Sequence, residues 1–250
     1  INSAAIEIDA VKPTITSISR SIPMQEFTNA DDVTFEVVFS EDANFTIASF
    51  TSSIGSINSA TGTGGMTATV NVNGIASADA LLDLGVVSIE VHDLASNTMT
   101  DNTAGAEETY TIDNTTPDIV DVRINDDDGL VGSTDVSPIN ANNQTNITLI
   151  IDGGDTSGNQ VGGLTNYTYD YTISGPGASD IVASGNLDSN GNVVLTGISL
   201  SAYSDGTLQM TATITDPAGN TSIVDAASTD TELKDTVLPA APTGLSLSNA

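Results

Sequence analysis

The residues with chemical potential are aspartates and asparagines that recur at fixed stations. Asp93-Leu94-Ala95-Ser96-Asn97 has a counterpart in Asp216-Pro217-Ala218-Gly219-Asn220. A second station, an Asp followed four residues later by Pro, occurs as Asp9/Pro13, Asp113/Pro117 and Asp235/Pro239. Carboxylates, amide oxygens and turn carbonyls are the hard oxygen donors that calcium takes, six to eight at a time. Read that way, Asp93, Asn97 and Asp113 form one calcium set, Asp216, Asn220 and Asp235 a second, and Asp9 serves a domain that comes before. The same residues equally suit a reading without metal, in which each Asp closes an Asx turn or finishes a strand. Asp126 and Asp128 in Asn125-Asp126-Asp127-Asp128-Gly129 are a further calcium candidate of the acidic-loop kind. They are not an EF-hand, because Ile124 falls at the first ligand position and no flanking helices are apparent. Asp152 and Asp155 around Gly153-Gly154 offer a sparser version.

Other chemistries are poorly supplied. The chain has no cysteine, so disulfides, thiolate metal sites and thiol nucleophiles are excluded. Its one histidine, His92, falls out of phase with the apolar Val87, Ile89 and Val91 and reads as a surface residue. A Gly-x-Ser-x-Gly elbow is absent, and Gly62–Gly65 lacks the lysine and helix of a phosphate loop. Tyr167, Tyr169 and Tyr171 share one face of a strand, which suits core packing better than a sugar platform. The sequence therefore reads as non-enzymatic.

Charge narrows the partners. Lys plus Arg number 4 against 33 Asp plus Glu, for a formal net charge of −29 over 250 residues. Nucleic acid and anionic lipid both demand a basic footprint, so neither is a partner. No apolar run approaches the ~18 residues of a membrane span. Of the acids 25 are Asp and 8 are Glu, a bias toward turns and calcium loops over helices. Such crowding calls for screening by salt or bound divalent cations.

The elements that must hold these stations are strands. Helical periodicity is nearly absent, while alternating and β-branched runs dominate. The three junction prolines lie 104 and 122 residues apart, an interval that fits one small β-domain. The expected layout is 1–9 as the last strand of a preceding domain, 10–113 and 114–235 as two immunoglobulin-like sandwiches, and 236–250 as a linker and first strand of a following domain. In the first, strands are expected at 14–19, 33–39, 45–50, 54–57, 66–72, 85–91 and 108–112, with 76–84 on the sandwich edge. In the second they are expected at 119–124, 147–151, 167–173, 181–187, 193–198, 208–214 and 222–224. Seven short strands per ~100 residues between Gly, Asn and Asp turns is the signature of an all-β, tandem immunoglobulin-like fold.

The Asp-x-Ala-Gly-Asn turn, the Asp-x-Thr-x-Pro junction and the opening Ile15-Thr16-Ser17-Ile18-Ser19-Arg20 resemble the bacterial immunoglobulin-like repeats of giant surface adhesins. The likeness runs over essentially the whole chain. It departs at Ser96, where Gly is usual, and at Lys12, where a small polar residue is common. It implies an extracellular stalk or extender segment that projects a distal binding region, with neighbouring domains of the same chain as partners and calcium between domains as a stiffener. Two alternatives stay open: a ligand- or carbohydrate-binding module, centred on 167–171, and a repeat of a gliding-motility filament.

Overall fold

The computed structural model describes residues 8–76, 78–124, 138–153 and 163–240. Residues 1–7 of the strand expected at 1–9, residues 241–250 of the linker and strand expected at 236–250, and the candidates Asp126, Asp128 and Asp155 lie outside those residues. The chain divides into two compact units. One comprises Ile1–Thr115 with Pro217–Asn220, the other Thr116–Asp216 with Thr221–Ala250. No helix among the described residues is long and apolar enough to cross a membrane.

Among its described residues the first unit holds ten strands: β1 (Ile15–Ile22), β2 (Phe27–Thr28), β3 (Asp32–Asn44), β4 (Phe50–Ser52), β5 (Ser56–Thr61), β6 (Gly65–Asn73), β7 (Ala80–Leu82), β8 (Leu84–Val86), β9 (His92–Asp93) and β10 (Tyr110–Ile112). Strand β3 is the spine. Its Val33, Phe35, Val37 and Phe39 alternate inward and are all buried, as a period of two requires when one face meets a core. It pairs with β1 on one side and β6 on the other, β5 flanks β6, and β9 pairs with its far end. A second sheet, β2-β10-β7, and the pair β4-β8 complete the sandwich. Tyr110 sits between the layers, edge-on to Phe35 with ring centroids 5.0 Å apart.

The second unit runs β11 (Asp121–Ile124), β12 (Ile147–Asp152), β13 (Thr168–Ser174), β14 (Ile181–Asn186), β15 (Asn192–Ile198), β16 (Gly206–Thr215) and β17 (Thr229–Lys234). Its sheets are β11-β12-β15 and β14-β13-β16-β17, closed over Ile124, Leu149, Ile173, Leu208 and Met210, all fully buried. Both units are all-β immunoglobulin-like sandwiches.

Three local expectations are corrected. The run 85–91 is not one strand: β8 ends at Val86 and a 3-10 turn over Ser88–Glu90 throws Ile89 out to 68% exposure while Val91 stays buried. The run 45–50 is likewise interrupted by a 3-10 turn at Ile47–Ser49, capped by Thr46 and Ser49 in a reciprocal box. The last strand of the second unit is not 222–224, where Ile223 and Val224 are exposed, but the polar β17.

Candidate metal centre

At the β9 end of β3, three carboxylates converge. Oxygens of Asp9, Glu41 and Asp93 all lie within 4.8 Å of one another. Glu41 falls near the end of β3, inside a register irregularity between Val38 and Ala43, and Asp93 is paired to Ala43 through β9. Asp93 is buried at 1% exposure. Its Oδ1 accepts the Asn97 backbone N–H (2.7 Å) and its Oδ2 the Asn97 amide (2.6 Å). The turn is pinched shut by Ser96 N–H donating to the Asp93 carbonyl (3.1 Å), with Ser96 at φ 73°.

The electrostatics of the three are uneven. Burial pushes the Asp93 carboxyl up, but hydrogen bonds from the Asn97 side chain and from the backbone of Asn97, Ala95 and Ser96 outweigh it and hold the group below its ordinary value. For Glu41, burial and then the charges of Asp9, Asp93 and Asp42 all act upward. One of its carboxylate oxygens, Oε1, is buried with no hydrogen-bond partner among the described residues. A cation at this point would satisfy that oxygen and reverse the repulsion, and an all-oxygen carboxylate set is what calcium takes. The residues present fit the ion.

The grouping differs from the one expected. Asp93 and Asn97 share their end of the sandwich with Asp9, not with Asp113. Asp113 N–H donates to Thr28 O (3.0 Å), before the start of β3, whereas Asp93 pairs at its far end. Thirteen residues of strand separate the two, roughly 40 Å. The second unit repeats the rule: Asp216 follows the last residue of β16, while Asp235 follows Lys234, which pairs with Gly206 at the first. The sequence showed two markers per repeat but not the direction in which a strand carries each. Asn97 also enters differently than expected, as a donor: its amide reaches Asp93 Oδ2 and the Asp9 carbonyl (3.3 Å). Asn220 does the same toward the Asp113 carbonyl (2.9 Å), its own Oδ1 accepting from Asn29 (3.0 Å).

The junction aspartates share one local structure. Asp9, Asp113 and Asp235 each accept the N–H of the residue two ahead (Val11, Thr115 and Val237, at 3.0, 2.9 and 2.9 Å). That Asx turn explains the repeated Asp without any metal. Among these residues, Asp9 and Asp93 join a cluster of three acids, and Asp113 and Asp216 are buried at 3% and 6% exposure. Asp152 ends β12 at the same end of the second unit as Asp216, since the adjoining Gly153 packs so closely on Ile214 that a Cβ would stand 2.3 Å from its Cδ1.

Glu41 was not foreseen. Its signal was its place just after the strongest apolar strand, but Glu41-Asp42 looks like any solvated strand end until β9 is known to pair there. The remaining chemical candidates resolve into structure. His92 is half-buried and bonds Thr98 Oγ1 (3.0 Å). Tyr167, Tyr169 and Tyr171 are buried at 3%, 7% and 4% exposure within the second core, so they form no sugar platform.

No protein-family model and no curated protein matches the sequence. Among solved structures, the chain is similar to a tetra-tandem repeat in the extending region of a large adhesion protein, at 18% identity and a TM-score of 0.33, over 88% of this chain and 49% of that one. It is similar to a structure from a 1.5-MDa bacterial ice-binding adhesin at 20% identity and a TM-score of 0.47, over 90% and 65% respectively. The fibronectin(III)-like modules of Clostridium thermocellum CbhA are similar at 12% identity and a TM-score of 0.36, over 88% and 93%. The chain thus spans about half the length of the first of these and 65% of the second.

Proposed function

We propose that this chain is a non-enzymatic stalk or extender segment of a large bacterial cell-surface adhesin, extracellular, and stiffened by calcium where a junction meets the sandwich that follows it. The observation that carries the reading is the convergence of Asp9, Glu41 and Asp93 around a buried, unpartnered carboxylate oxygen at a junction. Asp9 leads into the first unit, and Asp93 closes a turn of the body of that unit. An ion held by both ties the incoming chain to the sandwich. Proline four residues after each junction Asp fixes φ and restricts its predecessor, which limits bending by itself. Clustered acids on a chain of net charge −29 also keep parallel stalks apart.

The test is thermal unfolding in millimolar calcium against excess chelator, with sodium matched for ionic strength. Calcium at 100 times its dissociation constant adds about 2.7 kcal/mol, a shift of several degrees for units of this size. Melting that responds only to ionic strength removes calcium from the account.

A further inference from the structure

Strand edges carry unpaired N–H and C=O groups, and secreted proteins blunt them with charge, proline, bulges or cover. The other long edge strands among the described residues are blunted. β5 carries a register shift between Ile57 and Ser59, and β15 lies next to one between Ile147 and Leu149 and has Gly197 at φ 75°. β1 is covered through Ile18, whose N–H donates to Ala106 O (2.8 Å) and whose carbonyl accepts Glu108 N–H (3.0 Å). β17 bears Asp230 and Glu232 and is bridged by Ile139.

Among the described residues β14 has none of these devices. There it is the terminal strand of its sheet and pairs with β13 over six successive residues without a register shift. It contains no charge and no proline, and Val182 is 67% exposed. Leu187 N–H donates to Tyr167 O (3.1 Å), so antiparallel alternation gives Gly185 and Ala183 to the ladder with β13. The N–H and C=O groups of Val182, Ser184 and Asn186 then point away from the sheet. Two exposed acids flank the edge, Asp180 just before β14 and Asp188 two residues after it, with exposed Asp170 beside Ser184 on β13.

We infer that the outer edge of β14 is a docking site for an extended segment of another protein, uncharged in its centre and basic at both ends. Such a strand adds to the sheet through the backbone groups of Val182, Ser184 and Asn186, which supply affinity without reading side chains. Asp180 and Asp188 select the charge of its ends, eight residues apart. A second copy of this chain is the poorer occupant. The antiparallel register that matches Ser184 to Ser184 and Val182 to Asn186 also sets Asp180 opposite Asp188 at each end, and like charges directly opposed destabilise a strand pair. The inference stands independently of the calcium and stalk reading.

The probe is a nine-residue peptide of alternating threonine and valine with lysine at each end, fluorescently labelled and titrated onto the whole chain. Saturable binding is expected, at least tenfold tighter than for the same peptide with glutamate ends, and weakened several-fold between 50 and 500 mM salt. Ser184→Pro removes an outward N–H that β13 does not use, so it weakens binding at least tenfold while the unfolding transition stays in place. Asp180→Lys narrows the preference between the two peptides. Slowed hydrogen exchange at the Val182, Ser184 and Asn186 amides on peptide addition locates the contact without any variant. Absence of saturable binding, equal affinity for both peptides, or slowing confined to other amides overturns the inference. So does a Ser184→Pro-sensitive dimer in sedimentation, because the occupant is then a second copy.

Discussion

Replacing Tyr110 by Phe removes one hydroxyl from the centre of the first sandwich and leaves its shape intact. That hydroxyl lies 2.6 Å from Pro23 O and 2.9 Å from Thr34 O, to either of which it donates, and it accepts the Ser21 N–H at 3.2 Å. The ring is fully buried against Phe35, so its packing survives the change. What is lost is one hydrogen bond on each side of the oxygen, with a carbonyl and an N–H left to find other partners. At about 1 kcal/mol per net bond, somewhat more for groups left unpaired, the expected cost is about 2 kcal/mol. For a unit of this size that lowers Tm by on the order of 10 °C. Urea denaturation followed through hydrogen exchange of the β3 amides should show the midpoint fall with an unchanged slope.

Alkali adds a second signature to the same substitution. Burial pushes the Tyr110 phenol up to about 12, so the folded state keeps a proton that the unfolded state releases near pH 10. A raised folded value means stability that is whole below pH 10 and lost as pH climbs toward about 12. Tyr110→Phe abolishes that loss, so the gap between wild type and variant should close through this window. A cost below about 0.5 kcal/mol at neutral pH, or a gap that stays constant to pH 12, refutes the role given to the hydroxyl.

Ser96 holds φ 73° where the matching turn uses Gly219 at φ 96°. Ser96→Gly should therefore stabilise the first unit by roughly 0.5–1 kcal/mol, measurable as a raised urea midpoint. Asn97→Ala removes the side-chain amide that donates to Asp93 Oδ2 and to the Asp9 carbonyl. The backbone donor survives, so a modest loss is expected in calcium and a larger one in chelator, where nothing else neutralises the acids. The lowered Asp93 value gives stability present above its ordinary 3.8 and lost as pH falls through the folded value, and an acid titration of Asn97→Ala should show that arm shrink.

Much of the fold was legible because burial writes directly into period two. Val33, Phe35, Val37 and Phe39 announced β3, and 167–173, 193–198 and 208–214 announced β13, β15 and β16 nearly to the residue. The failures share a cause. In 85–91 the alternation of Val87, Ile89 and Val91 was accidental, and in β17 a polar strand carried no alternation to find. Both are decided by what the rest of the sandwich presents, not by local propensity. The candidate site was legible only as parts. Asp9, Asp93 and Asn97 were named from the repeats, but their assembly depends on which end of a ~40 Å strand each station meets. Glu41 joins them through the pairing of Ala43 with Asp93, a contact fifty residues apart in sequence that no short-range pattern contains.

Glu41→Gln tests the central claim most directly, because the account predicts opposite signs under two conditions. Without a cation, burial and the neighbouring Asp9, Asp93 and Asp42 raise the Glu41 value, so its ionised form opposes folding once pH exceeds its ordinary 4.5. Neutralising it should raise Tm at pH 7 in chelator. With calcium, the same change deletes a charged ligand and should weaken calcium binding at least tenfold, lowering Tm at subsaturating calcium. Melting wild type and variant side by side across a calcium titration should give curves that cross. Parallel curves, with the variant shifted the same way in chelator and in calcium, would contradict a metal centre at Asp9, Glu41 and Asp93.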